Sequence, residues 1–170
     1  QEVRPVICCI SDIHGELDKL EQMLELIRFS GEDHLYILGG VIVRGTLGGD
    51  IFWRIIAATN MTMLLGNHQE RNGILCFLAG LPGYLDLTVG GQRFHLVHGY
   101  PGEGHETRIW GRVEPDNRSP FPDTICIVGH TPTVFLTDGH DEDFSIWHGD
   151  GILDIDCGCG SMKAAHRRLA

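Results

Sequence analysis

Residues 5–15 read PVICCISDIHG, an apolar run followed at once by a polar cluster that ends in glycine. The continuous apolar run at 5–10 predicts a buried strand. In the cluster that follows, alternation along an extended chain sends the side chains of Asp12 and His14 to the same side. Together they offer one carboxylate oxygen and one imidazole nitrogen to a divalent metal ion.

Strands and helices alternate through the rest of the first half of the chain. Further strands are predicted at 34–38 and 61–65, and helices at 16–29, 50–59 and about 69–80. The second half is rich in short strands: Gly90-Gly91 predicts a hairpin turn, 100–123 a long loop, and strands follow at 125–128, 133–137, 144–148 and 152–156. This layout predicts an α/β fold of two packed sheets with outer helices, in a single domain over residues 1–170.

Most of these predicted strands end in a short polar cluster like the first. The clusters are Gly39 to Gly45, Gly66-Asn67-His68-Gln69, His98-Gly99 and Gly129-His130-Thr131-Pro132. Ligand sites in α/β sheets collect at the carboxyl ends of strands, so we expect the clusters to meet at one crevice. Asn67, His98 and His130 would add an amide oxygen and two imidazoles, a mixture that suits Mn, Fe or Zn better than Ca.

The ordered series DxHG, GxxxxRG, GNH, HG and GHTP resembles the calcineurin-like metallophosphoesterases over roughly residues 6–160. It looks closest to their phosphoprotein (serine/threonine) phosphatase branch, which includes the symmetrical diadenosine tetraphosphate hydrolases. Residues 109–112 (IWGR) and 155–160 (IDCGCG) also resemble segments of that family. The resemblance implies an α/β/β/α sandwich with two central mixed sheets flanked by helices.

The resemblance also implies a two-metal site. Asp12 and His14 would bind the first metal, and the second would be bound by Asn67, His98 and His130. Two metals about 3.5–4 Å apart would activate a bridging hydroxide as the nucleophile. The expected metal is Mn²⁺, with Fe or Zn as alternatives.

Catalysis and substrate binding are implied for a second set of residues. His68 would donate a proton to the leaving alkoxide. Arg44 and Arg112 would hold phosphate oxygens, because a guanidinium group pairs with them in a bidentate manner. Asn67 is also counted among the substrate-binding residues. The expected substrate is a phosphorylated protein or a small phosphoester.

Three acidic positions of the family pattern are neutral in this chain. The family's Gly-Asp-x-x-Asp-Arg-Gly becomes GGVIVRG at 39–45, so Gly40 replaces the carboxylate that bridges the metals. Val43 replaces the carboxylate that orients the catalytic histidine, and Gln69 replaces a glutamate. We therefore expect one tightly bound metal rather than two, and impaired catalysis. Restoring aspartate at Gly40 and Val43 is expected to recover activity.

Several alternatives remain open on the sequence alone. The chain fits an inactive pseudophosphatase that binds phosphorylated ligands or proteins through Arg44 and Arg112, with the substitutions either natural or engineered. It also fits a dinucleotide tetraphosphate hydrolase. A rearranged site that uses Asp50 or Asp156, or a metal-free structural domain, is less favoured. The surviving polar residues argue against the latter, because unused polar groups in a crevice do not favour stability.

Composition excludes other classes of function. The net charge is −10 and Lys19 and Lys163 are the only lysines, which argues against a nucleic-acid partner. No apolar run reaches the ~18–20 residues that span a bilayer, so a membrane partner is not expected. No signal peptide is visible, and we expect a cytoplasmic protein. The oligomeric state is left open.

Overall fold

The computed structural model of the chain describes residues 5–41, 48–67, 80–137 and 144–159. Its strands form two sheets. The first is parallel, in the order β1 (Ile7–Ile10), β2 (His34–Ile37), β3 (Met61–Met63). The second is mixed and has the order β4-β5-β6-β8-β7, from β4 (Tyr84–Val89), β5 (Gln92–Val97), β6 (Thr124–Val128), β7 (Trp147–His148) and β8 (Ile152–Asp154). The helices are α1 (Leu17–Leu26), α2 (Gly48–Ala57), α3 (His105–Trp110) and a short 3₁₀ helix (Thr133–Phe135).

Alternation along β2 separates two hydrophobic layers. Leu35 and Ile37 pack on the side of α1 and α2, whereas Tyr36 and the following Leu38 lie in the core between the two sheets. From the second sheet, Leu96 and Ile155 complete that inter-sheet core. The expected α/β fold with two packed sheets and outer helices is therefore confirmed.

The opposite face of the five-stranded sheet has its own core. Cys126 and Val128 from β6 lie there with Ile152 from β8, and Val113 and Leu136 cover them from the connecting segments. Neighbouring strands β5, β6 and β8 are parallel, so their carboxyl ends share one edge. This edge faces the carboxyl ends of β1, β2 and β3, where the loops of both sheets are hydrogen-bonded to one another.

Two local expectations were wrong, and a third was right only in part. The stretch at 133–137 is not a strand, because Pro132 leads into a 3₁₀ turn that buries Leu136 and leaves Phe135 exposed. The predicted loop at 100–123 contains α3, which Gly104 precedes with φ of 87° and Gly111 ends in an extended conformation. Of the predicted strand at 144–148, only Trp147–His148 is paired. The helix predicted at about 69–80 lies almost wholly outside the described residues.

The hairpin prediction was correct. Strands β4 and β5 pair antiparallel from Tyr84↔Val97 to Val89↔Gln92, and Gly90 and Gly91 make the turn with φ of 58° and 86°. Both torsion angles lie in the left-handed region that a two-residue hairpin turn requires. No helix within the described ranges is long and apolar enough to cross a membrane.

Candidate functional site

Hydrogen bonds donated by backbone amides draw the loops after β1, β2 and β6 together. The amides of Asp12 and His14 donate to the carbonyl oxygens of Gly39 and Gly40 at 3.3 and 2.7 Å. The amide of His130 donates to Asp12 Oδ2 at 3.0 Å, across 118 residues of sequence. Loops from the two different sheets thus converge on Asp12.

The Asp12 carboxylate is buried and held on both oxygens. Ser11 Oγ donates to Oδ2, while Oδ1 lies 3.4 Å from His14 Nε2. Burial opposes the charged form, but the neighbouring His98 and His14 and the hydrogen bonds from His14 and Ser11 outweigh it, so the pKa of Asp12 is lowered. Asp12 is therefore an ionised, preoriented carboxylate.

His98 is completely buried at the end of β5 and its ring is fixed by the other sheet. Its Nδ1 lies 2.6 Å from the carbonyl oxygen of Leu38, which can only accept, so Nδ1 carries the proton. Burial lowers the pKa of His98, although the nearby Asp12 and the hydrogen bond to Leu38 raise it, and so favours the neutral ring. Its Nε2 then presents a lone pair, and it faces Asn67 Oδ1 at 3.1 Å.

Three of the predicted metal ligands have strained backbones. Asp12, His14 and His130 have φ of 52°, 49° and 67°, in the left-handed region that L-residues rarely adopt. Such strain persists only where the surrounding structure enforces it, and it clusters at functional sites. The His98 and His130 rings are also close, with centroids 5.1 Å apart.

The candidate ligands lie in two pairs, each of which could contact a cation. In the neutral ring, His98 Nε2 carries a lone pair, and it lies 3.1 Å from Asn67 Oδ1, which also carries lone pairs. Two ligand atoms that bind one metal ion at right angles, with bonds of about 2.0–2.2 Å, are about 3 Å apart, so this spacing suits a shared cation. Asp12 and His14 form a second pair. Among the described residues, however, no three His, Cys, Asp or Glu side chains form a group that could hold a metal ion. Gly40, which adjoins Asp12, has no side chain to contribute a further ligand.

Gly40 also lacks room for a side chain. Its φ is +65°, and a Cβ added there would lie 2.6 Å from Asp12 Cα and would also overlap Asp12 Oδ1. An aspartate at this position therefore requires the loop after β1 or the loop after β2 to shift. The recovery of activity expected from the sequence on restoring aspartate here meets this steric obstacle.

The predicted substrate-binding and catalytic residues are only partly described. Arg112 is exposed, and its neighbours border the site: Trp110 lies edge-on to His130 with ring centroids 6.4 Å apart, and the Val113 amide donates to Thr131 Oγ1 at 3.3 Å. His68, Arg44, Val43 and Gln69 lie outside the described residues.

Sequence reasoning did not assign three groups that the structure places at or near the site. Ser11 belongs to the first motif, and a hydroxyl group next to Asp12 in the sequence could have indicated a hydrogen bond to that carboxylate. The Leu38 carbonyl carries no sequence signal, because every residue has one. Asp154 is completely buried with Oδ2 unpartnered among the described residues. Burial, reinforced by Asp156 and Asp12, raises the pKa of Asp154 well above its usual range.

A family model described as calcineurin-like phosphoesterase matches residues 5–160. The chain belongs to the calcineurin-like phosphoesterase family. A search among curated proteins found no match.

Three solved structures show how this calcineurin-like fold is shared. A metallophosphoesterase from Sphaerobacter thermophilus is 21% identical with a TM-score of 0.55, over 88% of this chain and 75% of that one. A candidate diadenosine tetraphosphatase is 15% identical with a TM-score of 0.63, over 92% and 89%. A hypothetical protein from Pyrococcus horikoshii OT3 is 14% identical with a TM-score of 0.56, over 89% and 76%. At these identities, the likeness concerns the fold.

Proposed function

We propose that this calcineurin-like chain is a metal-dependent phosphomonoesterase of the serine/threonine-phosphatase type, with a reduced rate. The observation that carries the proposal is the strained backbone of Asp12, His14 and His130 around one point. Left-handed residues also occur elsewhere, at Arg28 and Asp123, but of the described residues only these three lie together, at the ends of two different strands. Chemistry that needs these polar groups preoriented does explain them.

The chain's own residues would prepare the site in the following way. Ser11 and the His130 amide orient Asp12, and the Leu38 carbonyl leaves the lone pair of His98 Nε2 free to bind a cation. A divalent cation held here, with Mn²⁺ favoured over Fe or Zn, would supply Lewis-acid stabilisation of the phosphoryl group and an activated water.

Substrate contacts and proton donation fall to the rim of the site. Exposed Arg112 would contact phosphate oxygens, since its segment borders His130. Arg44 and His68 are proposed as the second phosphate contact and the proton donor by their places in the motifs. Because Val43 cannot orient His68 as a carboxylate would, part of a ~10²–10⁴-fold acid-catalysis term is expected to be lost.

Loss of the bridging carboxylate would weaken binding of a second cation. Gly40 provides no ligand. The surroundings lower the pKa of the Asp12 carboxyl group but raise that of the buried Asp154. Two neighbouring divalent ions would then repel each other with little compensation. We therefore propose one tightly bound metal per chain.

A second candidate function is hydrolysis of dinucleoside tetraphosphates. It is favoured by the candidate diadenosine tetraphosphatase, whose alignment covers 92% of this chain and 89% of that one. A third is a pseudophosphatase that binds phosphorylated ligands without turnover, which the neutral residues at 40 and 43 favour.

The test is hydrolysis of p-nitrophenyl phosphate with saturating Mn²⁺, with a chelated sample beside it. The Asp12→Asn variant keeps the shape of the side chain, and asparagine tolerates positive φ. We expect it to lose roughly 100-fold or more in rate, because metal assistance contributes several kcal/mol to transition-state stabilisation. The His148→Ala variant, which changes an exposed histidine on β7, should retain full activity.

The outcomes separate the candidates. A metal-dependent rate lost in Asp12→Asn supports the phosphoesterase. A faster rate on diadenosine tetraphosphate than on a phosphoserine peptide would move the assignment to the second candidate. If the wild-type rate equals that of Asp12→Asn on every substrate, the hydrolase proposal fails and the pseudophosphatase remains.

A further inference from the structure

A pocket opens on the face of the five-stranded sheet that is turned away from the inter-sheet core. It has a volume of about 670 Å³, within the range of about 300–1,000 Å³ that is typical of small-molecule sites. Strands β4 and β5, helix α3 and the segment before β6 supply its walls. Of the residues assigned above to the metal and the substrate, none of the described ones lines it. We call it the outer-sheet pocket.

An aromatic wall surrounds a buried histidine in this pocket. His95 is 3% exposed, its ring stacks on Tyr84 at a centroid distance of 5.2 Å, and Phe121 lies 4.7 Å away on a tilted plane. Tyr84, at the rim, is 40% exposed. Flat, partly exposed rings of this kind offer a stacking surface for a planar ligand.

His95 also carries an unmet hydrogen-bonding group. Its Nδ1 lies 2.7 Å from Asp86 Oδ1, and a carboxylate can only accept, so Nδ1–H donates. In the neutral ring, the lone pair is therefore on Nε2, which is buried and has no hydrogen-bond partner within the described part of the chain. A buried polar atom without a partner is costly, and a ligand that brings an N–H or O–H group would remove that cost.

The positively charged side chain of Arg108 lies over the same aromatic wall. The Arg108 guanidinium is centred 4.3 Å over the Tyr84 ring, and its Nε donates to the Gly102 carbonyl at 3.1 Å. Its two terminal nitrogens have no protein partner among the described residues, so they are available to an anion. Arg93 is less available to an anion, because it already donates to the Pro122 carbonyl at 2.7 Å and lies 3.9 Å from the Asp123 carboxylate.

We propose that the outer-sheet pocket binds a small, flat aromatic anion that also bears an N–H or O–H donor. The ring packs against Tyr84 and Phe121, the anionic group pairs with Arg108, and the donor reaches His95 Nε2. His95 lies against the Tyr84 ring and Arg108 lies over it, so binding requires Tyr84 to move off His95 for the ligand to reach the buried Nε2. The chain's net charge of −10 disfavours anions in general, so saturable binding of one reports a local site.

The probe for the experiment is 5-amino-1-naphthalenesulfonate, which has the flat ring, the anion and the amine donor and is not a phosphoester. Binding is followed by fluorescence and by amide chemical shifts of the whole chain. We expect saturation at one site per chain, with shifts centred on Tyr84, His95 and Thr124. Shifts centred instead on Asp12 and His98, or no saturation, would overturn the proposal.

A matched pair of variants tests the contact with Arg108. Arg108→Gln should weaken binding about tenfold through loss of a charge-assisted hydrogen bond. Arg118→Gln, which changes an exposed arginine paired with Asp150 at 3.3 Å, should leave binding unchanged. Equal binding by the two variants would show that the anion is not held by Arg108.

The role of His95 is tested with a second probe, 1-naphthalenesulfonate, which lacks the amine. Wild type should prefer the amino probe, and His95→Phe, which keeps an aromatic ring but no nitrogen, should lose that preference. An unchanged preference would overturn the assignment of Nε2. Urea unfolding of each variant shows that the fold is intact, and neither result depends on whether the chain hydrolyses phosphoesters.

Discussion

At Gly40, the backbone conformation and the surrounding space both exclude a side chain. The residue has φ of +65°, its carbonyl accepts the His14 amide, and Asp12 occupies the space into which a Cβ would project. The glycine thus allows the loops after β1 and β2 to approach closely. From the sequence, the same residue indicated only a missing metal ligand.

We therefore predict that Gly40→Ala destabilises the fold by more than the cost of placing alanine in a left-handed backbone conformation. The matched control is Gly90→Ala, where φ is +58° and nothing lies within 4 Å of the added Cβ. Gly90→Ala should lower the free energy of unfolding by about 1–2 kcal/mol, which is the cost of a left-handed backbone conformation for an L-residue. Urea unfolding should show a larger loss for Gly40→Ala, and equal losses would show that the overlap with Asp12 is relieved without cost.

Among the elements, the start of β2 is held in part by the carboxylate of Asp33. Asp33 Oδ1 accepts the Val6 amide at 2.7 Å, and Oδ2 accepts the Ser30 amide at 2.7 Å and its hydroxyl at 2.9 Å. These bonds link the end of the segment between α1 and β2 to the residue before β1. They set β2 beside β1, and with it the position of Leu38, whose carbonyl holds His98.

Asp33→Ala should reduce stability at neutral pH, and the loss should shrink in acid. The hydrogen bonds from Val6 and then Ser30 lower the pKa of Asp33. A carboxyl group with a lowered folded-state pKa stabilises the protein above its unfolded pKa of about 3.9, and this stabilisation disappears as pH falls through the folded-state pKa. Urea unfolding at pH 7 and pH 3 checks this.

The neighbouring Glu32, which is exposed, provides the control for that measurement. Glu32→Ala should change stability little at either pH. A loss for Asp33→Ala that is the same at pH 7 and pH 3 would mean that the ionised carboxylate is not what fixes the strand.

Over the whole molecule, the site depends on how the two sheets pack. Leu38 and Leu64 from the first sheet meet Leu96 and Ile155 from the second in one buried layer. Leu96 lies two residues before His98, and Leu38 supplies the carbonyl that fixes that histidine. The same contact surface therefore stabilises the fold and aligns the ligands from the two sheets.

Leu96→Ala should lower the free energy of unfolding by about 2–5 kcal/mol, the usual cost of a cavity at a fully buried leucine. Leu26→Ala is the matched control, because that leucine at the end of α1 is 83% exposed and should contribute little. Urea unfolding compares the two. A loss for Leu96→Ala no larger than for Leu26→Ala would contradict the inter-sheet core described here.

The sequence by itself determined the features that local patterns encode. The alternation of apolar strands and amphipathic helices predicted β1, α1, β2 and α2, and Gly90-Gly91 predicted the hairpin. The order of the polar clusters around Asp12, Asn67, His98 and His130 was readable for the same reason, since each cluster adjoins its own strand. The 3₁₀ helix after Pro132 was misread because Val134, Phe135 and Leu136 form an apolar run of three residues, which is too short to have a decisive period.

Only the tertiary structure decided what depends on contacts distant along the chain. The carbonyl that sets the tautomer of His98 lies 60 residues away, and the amide that orients Asp12 lies 118 residues away. The space that excludes a side chain at Gly40, and the pocket that brings Arg108 over Tyr84, arise from the packing of separate segments. Periodicity reports which face of an element is buried, whereas these features depend on which other segment covers it.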